Sequence, residues 1–317
     1  MVKEQMKTMV SIVFTASVAL LFSGCQDPTS VESADQNISE KQAIINLLDE
    51  DQAIASFEPN FDEGGTMQIL GKISTEIYPL RVGQKMKLTN HNVDVNIQND
   101  TAYAFITNTF DGQLFIAATY DPNSTEPDTI IKKSFTSVIT RNAILVKMDS
   151  TRHPKHNWKV VAISLPEGGT LNPDIDITKL TVYLPGDSLV ITSPNDFYLY
   201  RKPGFPGKWK PFPIMPPHQD ATLKLELTSA YPDTDFVTIT FGADFKGMNR
   251  IKRKFVLVSS EFNGTNYEKV YVQTLNAHRN PGFFHSVINA MPLQVIKDDS
   301  TPVEMESWGL PYFVRPQ

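Results

Sequence analysis

Cysteine is nearly absent: the 317 residues contain one, Cys25. No intramolecular disulfide and no cysteine-cluster zinc site can therefore form. Positive charge is not in excess either. The formal net charge is −6, which argues against a general nucleic-acid binder. Glycine and proline follow no fixed period, so a collagen-like rod is excluded. No G-x-S-x-G, P-loop, H-E-x-x-H or dinucleotide-binding fingerprint occurs, and no serine stands in a nucleophile setting. What is present is a hydrophobic share of 41% and a charged share of 20%. That composition supplies packed cores and rules out a largely disordered chain. The length predicts about two domains.

Residues 1–24 read MVKEQMKTMVSIVFTASVALLFSG. Lys3 and Lys7 make the start basic, and an uncharged, mostly apolar stretch runs from Thr8 to Phe22. Its length suits a signal-peptide core and falls short of the roughly 20 residues of a transmembrane helix. The small residues Ser23 and Gly24 then precede Cys25. Leu21-Phe22-Ser23-Gly24-Cys25 resembles the lipobox of bacterial lipoproteins, with Phe22 departing from the usual Leu, Val or Ile. The resemblance implies cleavage before Cys25, a diacylglycerol on its sulfur and a fatty acid such as palmitate on its new amine. It also implies a membrane as partner, and Gln26, in place of Asp, implies the outer membrane. Several acyl chains at about 0.8 kcal/mol per buried CH₂ make such anchoring nearly permanent. Residues 25–38 are polar and read as a flexible tether.

From Ser39 the pattern changes. Ser39 and Gln42 form a capping box, and Ala43, Ile44, Leu47, Leu48, Ile54 and Phe57 place an apolar stripe on a helix over 39–57. Asp49, Glu50 and Asp51 fall on its solvated side, and Pro59 ends it. Strand patterns follow. Val93, Val95 and Ile97 alternate with polar residues, Asn99-Asp100 makes a turn, and Asp111-Gly112 signals a hairpin. Two further strands are predicted over 132–148 and 157–165. One helix followed by long strands predicts an α+β domain with a curved antiparallel sheet around the helix. Residues 92–116 and 134–165, with the helix, resemble the nuclear-transport-factor-2-like (cystatin-like cone) superfamily. That resemblance implies a cone-like domain over 39–165, with His91, Asp94 and Tyr103 as candidates for acid–base work inside the cone.

LPEGGTLNPDID reads as a linker over 166–177. Beyond it, short alternating strands recur: KLTVYL, SLVITS, ATLKLEL, DFVTITFGAD, RKFVLVSSE and EKVYVQTL among them. They predict an all-β sandwich domain over 178–317, which resembles immunoglobulin-like modules in architecture only. Pro281, Pro292, Pro302 and Pro311 make its C-terminal tail, 276–317, mostly loop with one or two strands.

The most unusual stretch is FYLYRKPGFPGKWKPFPIMPP at 197–217. Tyr198, Tyr200, Arg201, Lys202, Phe205, Trp209 and Phe212 make a candidate interaction surface for a polysaccharide or an envelope protein, and prolines stiffen it. The competing reading buries these rings, Trp209 included, in the sandwich. His153 and His156 form an H-x-x-H pair without a third ligand, so they read as a solvated turn. Asp174 with Asp176, and Asp233 with Asp235, offer oxygen pairs but match no EF-hand loop. His285 reads as structural. No metal site and no cofactor is expected. The function expected is non-catalytic binding or scaffolding by a lipid-anchored envelope protein. The rivals are a hydrolase or lyase working in a cone cavity, and a plain spacer.

Overall fold

Alternation is strongest between residues 78 and 147, and there the computed structural model shows three long strands. They are β1 (Tyr78–Gln98), β2 (Thr101–Thr119) and β3 (Thr129–Lys147), of 21, 19 and 19 residues. The structure describes residues 40–55, 77–150, 153–171, 173–200, 210–243 and 250–315. Asn99, at a φ of 55°, closes the β1–β2 turn in the left-handed conformation that asparagine tolerates. Asp111-Gly112 does not turn. β2 runs through it, because the Phe135 ring of β3 lies over Gly112, where a Cβ would stand 2.3 Å from the ring. Glycine here admits a ring rather than reversing the chain.

The helix expected over 39–57 is shorter and broken. It forms α1 (Glu40–Asp49) and α2 (Gln52–Ala55). Asp51 is buried rather than solvated, and its carboxylate accepts the Ala53 N–H at 3.0 Å, capping α2. Ile44 and Leu48 of α1 join one apolar cluster with Val95, Ala104 and Leu145 at one end of the long strands.

After α3 (Pro154–Asn157) come β4 (Trp158–Ser164), β5 (Glu167–Gly169), β6 (Ile175–Leu184), β7 (Asp187–Ile191), β8 (Tyr198–Tyr200), β9 (Lys210–Pro211) and β10 (Ile214–Met215). The chain continues with β11 (Asp220–Ser229), β12 (Phe236–Ala243), β13 (Ile251–Lys254), β14 (Val256–Phe262), β15 (Tyr267–Asn276), β16 (Gly282–Met291), α4 (Gln294–Lys297) and β17 (Glu306–Val314).

Two sheets result. One runs β13–β12–β16–β17–β5–β3, and at β3 it forks into β2–β1 on one edge and β4–β8–β9 on the other. The second is antiparallel throughout, in the order β14–β15–β11–β6–β7. The two sheets share a core, in which Leu225 and Tyr271 of the second join Ile239, Ile288 and Leu310 of the first. The opposite face of β12, β16 and β17 meets the inner face of the long strands. Val287 clusters with Met86, Phe110 and Ile139, and Phe236 and Met291 cluster with Val82, Leu114, Ile116 and Val295 of α4.

These layers overturn the α+β cone. Among the described residues strand makes up 63% and helix 9%, and α1 is the one α-helix longer than four residues. A cone wraps its sheet around a helix. Here α1 covers one end of the long strands, and strands and α4 cover the rest. The tail expected to be mostly loop with one or two strands carries two, β16 and β17, and both are interior strands of the first sheet. The segment 166–177, read as a linker, carries β5, which pairs with β3 on one side and β17 on the other. Ile38–Gln317 form one compact unit.

Gly168 and Gly169 make that double pairing feasible. Their φ angles are +155° and +153°. A Cβ on Gly168 would stand 1.9 Å from the Val138 carbonyl oxygen of β3, and one on Gly169 1.9 Å from the Met305 carbonyl oxygen beside β17. Only a residue without a side chain fits between these backbones.

Candidate functional site

The inner face of β1–β3 is covered, and side chains of the outer face are open to solvent. Strand period puts Tyr103, Phe105, Thr107, Thr109, Asp111 and Gln113 of β2 on that outer face. Asp94, Phe105 and Asn142 stand opposite one another in one row, and Asn96, Tyr103 and Ile144 in the next. The second row continues through Ala162 to Tyr200, and Tyr198 shares the face two residues away. Tyr103 and Phe105 are 45% and 44% exposed, and Tyr198 and Tyr200 are half-buried. Buried Ala102, Ala104 and Ile106 alternate with the two rings. Both faces of β2 are thus apolar at this end: the inner one is packed, and on the outer one Tyr103 and Phe105 stay exposed beside the buried Ile144 and Ala162.

The polar groups beside the rings are held in place. Asn142 Nδ2 donates to the Asn195 carbonyl at 3.0 Å, and Asn195 Nδ2 donates to Thr140 Oγ1 at 2.7 Å. The Asn142 amide N–H donates to Ser164 Oγ at 2.7 Å, and the Asn142 side chain bonds the Tyr198 hydroxyl. Burial raises the Tyr198 phenol above its ordinary range, and nearby Asp196 adds to it. Burial also raises Glu167, which Asn195 partly offsets by hydrogen bonding. These side chains lose little freedom on meeting a ligand.

Further along, the same face dips into a concavity of about 600 Å³. It is lined by Lys85, Lys87, Asp111, Gln113, Ser134 and Thr136 on the outer face of β1, β2 and β3.

The residues singled out in the sequence fare unevenly. Asp94 and Tyr103 do share the outer face. His91 is on the opposite one, bonded through Nδ1 to Asn108 at 2.6 Å and through Nε2 to Asp49 of α1 at 3.0 Å. The three do not converge on one reacting centre. Of the aromatic stretch, Tyr198 and Tyr200 lie on the open face, and Arg201, Lys202, Phe205 and Trp209 fall outside the described residues. Phe212 is no surface residue. It is buried at 8% exposure and packs edge-on against Phe283 and Phe313. Cys25 and the segment 1–38 also fall outside the described residues.

His153 and His156 flank the turn before β4, their rings 5.7 Å apart. Asp174 and Asp176 are exposed. Asp233 and Asp235 part company, because Asp235 is buried in a closed network. Its carboxylate meets Lys269 Nζ at 2.8 Å and accepts from Ser229 and Tyr271 hydroxyls at 2.9 and 3.1 Å. Among the described residues no three His, Cys, Asp or Glu side chains are arranged to hold a metal ion. His285 is fully buried, and burial, with Arg141 beside it, keeps its imidazole neutral well below the ordinary range.

Phe105, Asn142, Asn195 and the lysine-lined concavity escaped sequence reasoning. One signal for Phe105 was there: aromatics at 103 and 105 occupy positions that alternation reserves for polar groups. The amides carry no such signal, because their placement depends on strands distant in the chain. Compared with models of known protein families and with curated proteins, the chain matched none.

Proposed function

We propose that this protein is a lipid-anchored, non-catalytic binding protein of the bacterial envelope that holds an extended glycan on the open face of its long sheet. The observation that carries the reading is the exposed pair Tyr103 and Phe105 on a rigid strand, flanked by amides already fixed by hydrogen bonds. Sugar rings offer C–H faces to aromatic rings, and their hydroxyls bond amides and carboxylates. The face is open, whereas small-molecule sites enclose about 70–90% of their ligand. An extended polymer fits an open face better than a small solute. A protein partner is less well served, because Thr, Asn, Ser and Gln dominate here instead of an apolar interface centre. The anchor rests on the lipobox-like residues 21–25.

The test is retention of the soluble domain in gels containing dissolved polysaccharides, neutral and uronic-acid-based. The double variant Tyr103→Ala/Phe105→Ala should bind the retained polymer at least about tenfold more weakly. Its stability should change by less than about 0.5 kcal/mol per site. No retention by any polymer, or retention untouched by the double variant, overturns the glycan reading. For the anchor, Cys25→Ser should move the full-length protein from the membrane to the soluble fraction. Unchanged sedimentation with membranes overturns that half.

A further inference from the structure

Eight residues along β2 separate Phe105 from Gln113, a distance of about 27 Å on the same face. The ring cluster therefore stands at one end of a strip and the 600 Å³ concavity near its middle. A ligand reaching both must be a chain. The concavity differs in character from the ring cluster. Lys85 and Lys87 occupy successive outward positions of β1, about 7 Å apart. Both are exposed, and neither forms an ion pair with a described residue, although Asp111 stands directly opposite Lys87 in the register. Gln113, Ser134 and Thr136 add one amide and two hydroxyls as donors. Two ammonium groups and one carboxylate leave the lining with a net charge of +1.

We propose that this concavity is a subsite for a carboxylate of the bound polymer, so that the ligand is an acidic polysaccharide built on uronic acids. The inference rests on the glycan reading above and narrows it. A singly charged anion matches the lining. A phosphate, carrying about −1.5 to −2 at neutral pH, would bring excess charge against Asp111. A carboxylate has two oxygens, and donors are available on both sides of the concavity: the lysines on β1, and Gln113 and Ser134 on β2 and β3. The attraction is between exposed groups, so it is screened over about 10 Å at 0.1 M salt.

The probes are polygalacturonate, its fully methyl-esterified form and dextran sulfate, with affinities measured at low and high salt. Polygalacturonate should bind at least about tenfold more tightly than its ester at low salt, a difference of about 1.4 kcal/mol. High salt should shrink that ratio. Lys85→Gln/Lys87→Gln, at exposed positions, should bring the ratio close to one, and a thermal melt checks that the variant is folded. Equal binding of acid and ester by the parent, or a ratio unchanged in the double variant, overturns the carboxylate subsite and leaves the glycan reading standing. Dextran sulfate bound as tightly as polygalacturonate also overturns it, because the face would then be a general polyanion surface. Binding of none of the three polymers, together with no retention by neutral ones, overturns the glycan reading and this inference with it.

Discussion

At the scale of single residues, the carboxyl of Glu306 is held between opposing influences. Its two oxygens accept the Ile177 N–H of the second sheet and the Trp308 indole N–H, and both bonds favour the charged form. Burial opposes them and wins, with Asp176 and Glu167 adding like charge, so the group is pushed up from 4.5 to about 8. A raised carboxyl contributes stability that is complete below its unfolded pKa and is lost as pH rises through the folded value. Glu306 should therefore contribute a loss of stability between about pH 4.5 and pH 8, with Glu167 acting in the same direction and the neutral His285 in the opposite one below its ordinary 6.5. In Glu306→Gln the difference between thermal melts at pH 5 and pH 8 should shrink. The whole curve should also drop, because an amide accepts through one oxygen only. A pH dependence identical to the parent's would show that Glu306 is not its source. Little of this was legible in the chain: apart from Trp308, the neighbours of Glu306 are Ile177, Asp176 and Glu167, far away in the chain.

At the scale of elements, much was legible where the cause is local. The alternation of Val93, Val95 and Ile97, the Asn99-Asp100 turn and most strands of the second sheet appear as read. The failures share one cause. Asp111-Gly112 signalled a turn, but a ring from the neighbouring strand needed the space above Gly112. Pro311 argued against a strand, yet it lies within β17, opposite His285. Tertiary neighbours outweighed local preference in both cases. β5 is only three residues long yet joins β3 to β17, and it gives a sharp test. Gly169→Ala forces a Cβ against a backbone carbonyl that no rotamer change can move aside. It should cost about 3 kcal/mol or more in a denaturant titration. Gly186→Ala is the control. Its φ of +80° is also unfavourable to a side chain, but nothing lies within 4 Å of the added Cβ, so the cost should be about 1 kcal/mol. Equal effects at the two sites would mean that β5 does not hold the sheet together.

At the scale of the whole molecule, the strand order interleaves the two ends of the described chain. The inner face of β1–β3 is buried by β12, β16 and α4, and β17 lies between β16 and β5. A two-domain division near 166–177 would separate Leu114 and Ile116 from Phe236 and Met291. The protein should therefore unfold in one transition with coincident near- and far-ultraviolet signals, and limited proteolysis should leave one resistant core spanning both sides of residue 170. Two separable transitions, or a stable fragment ending near 165, would contradict this architecture.

The position of β17 also bears on when the molecule can close. Until Glu306–Val314 has been made, β16 and β5 have no strand between them. The pairing of β3 through β5 to the rest of the sheet must wait as well. Long-range strand pairing is slow even in a finished chain. A nascent chain of this order therefore keeps its first sheet open until β17 has been made.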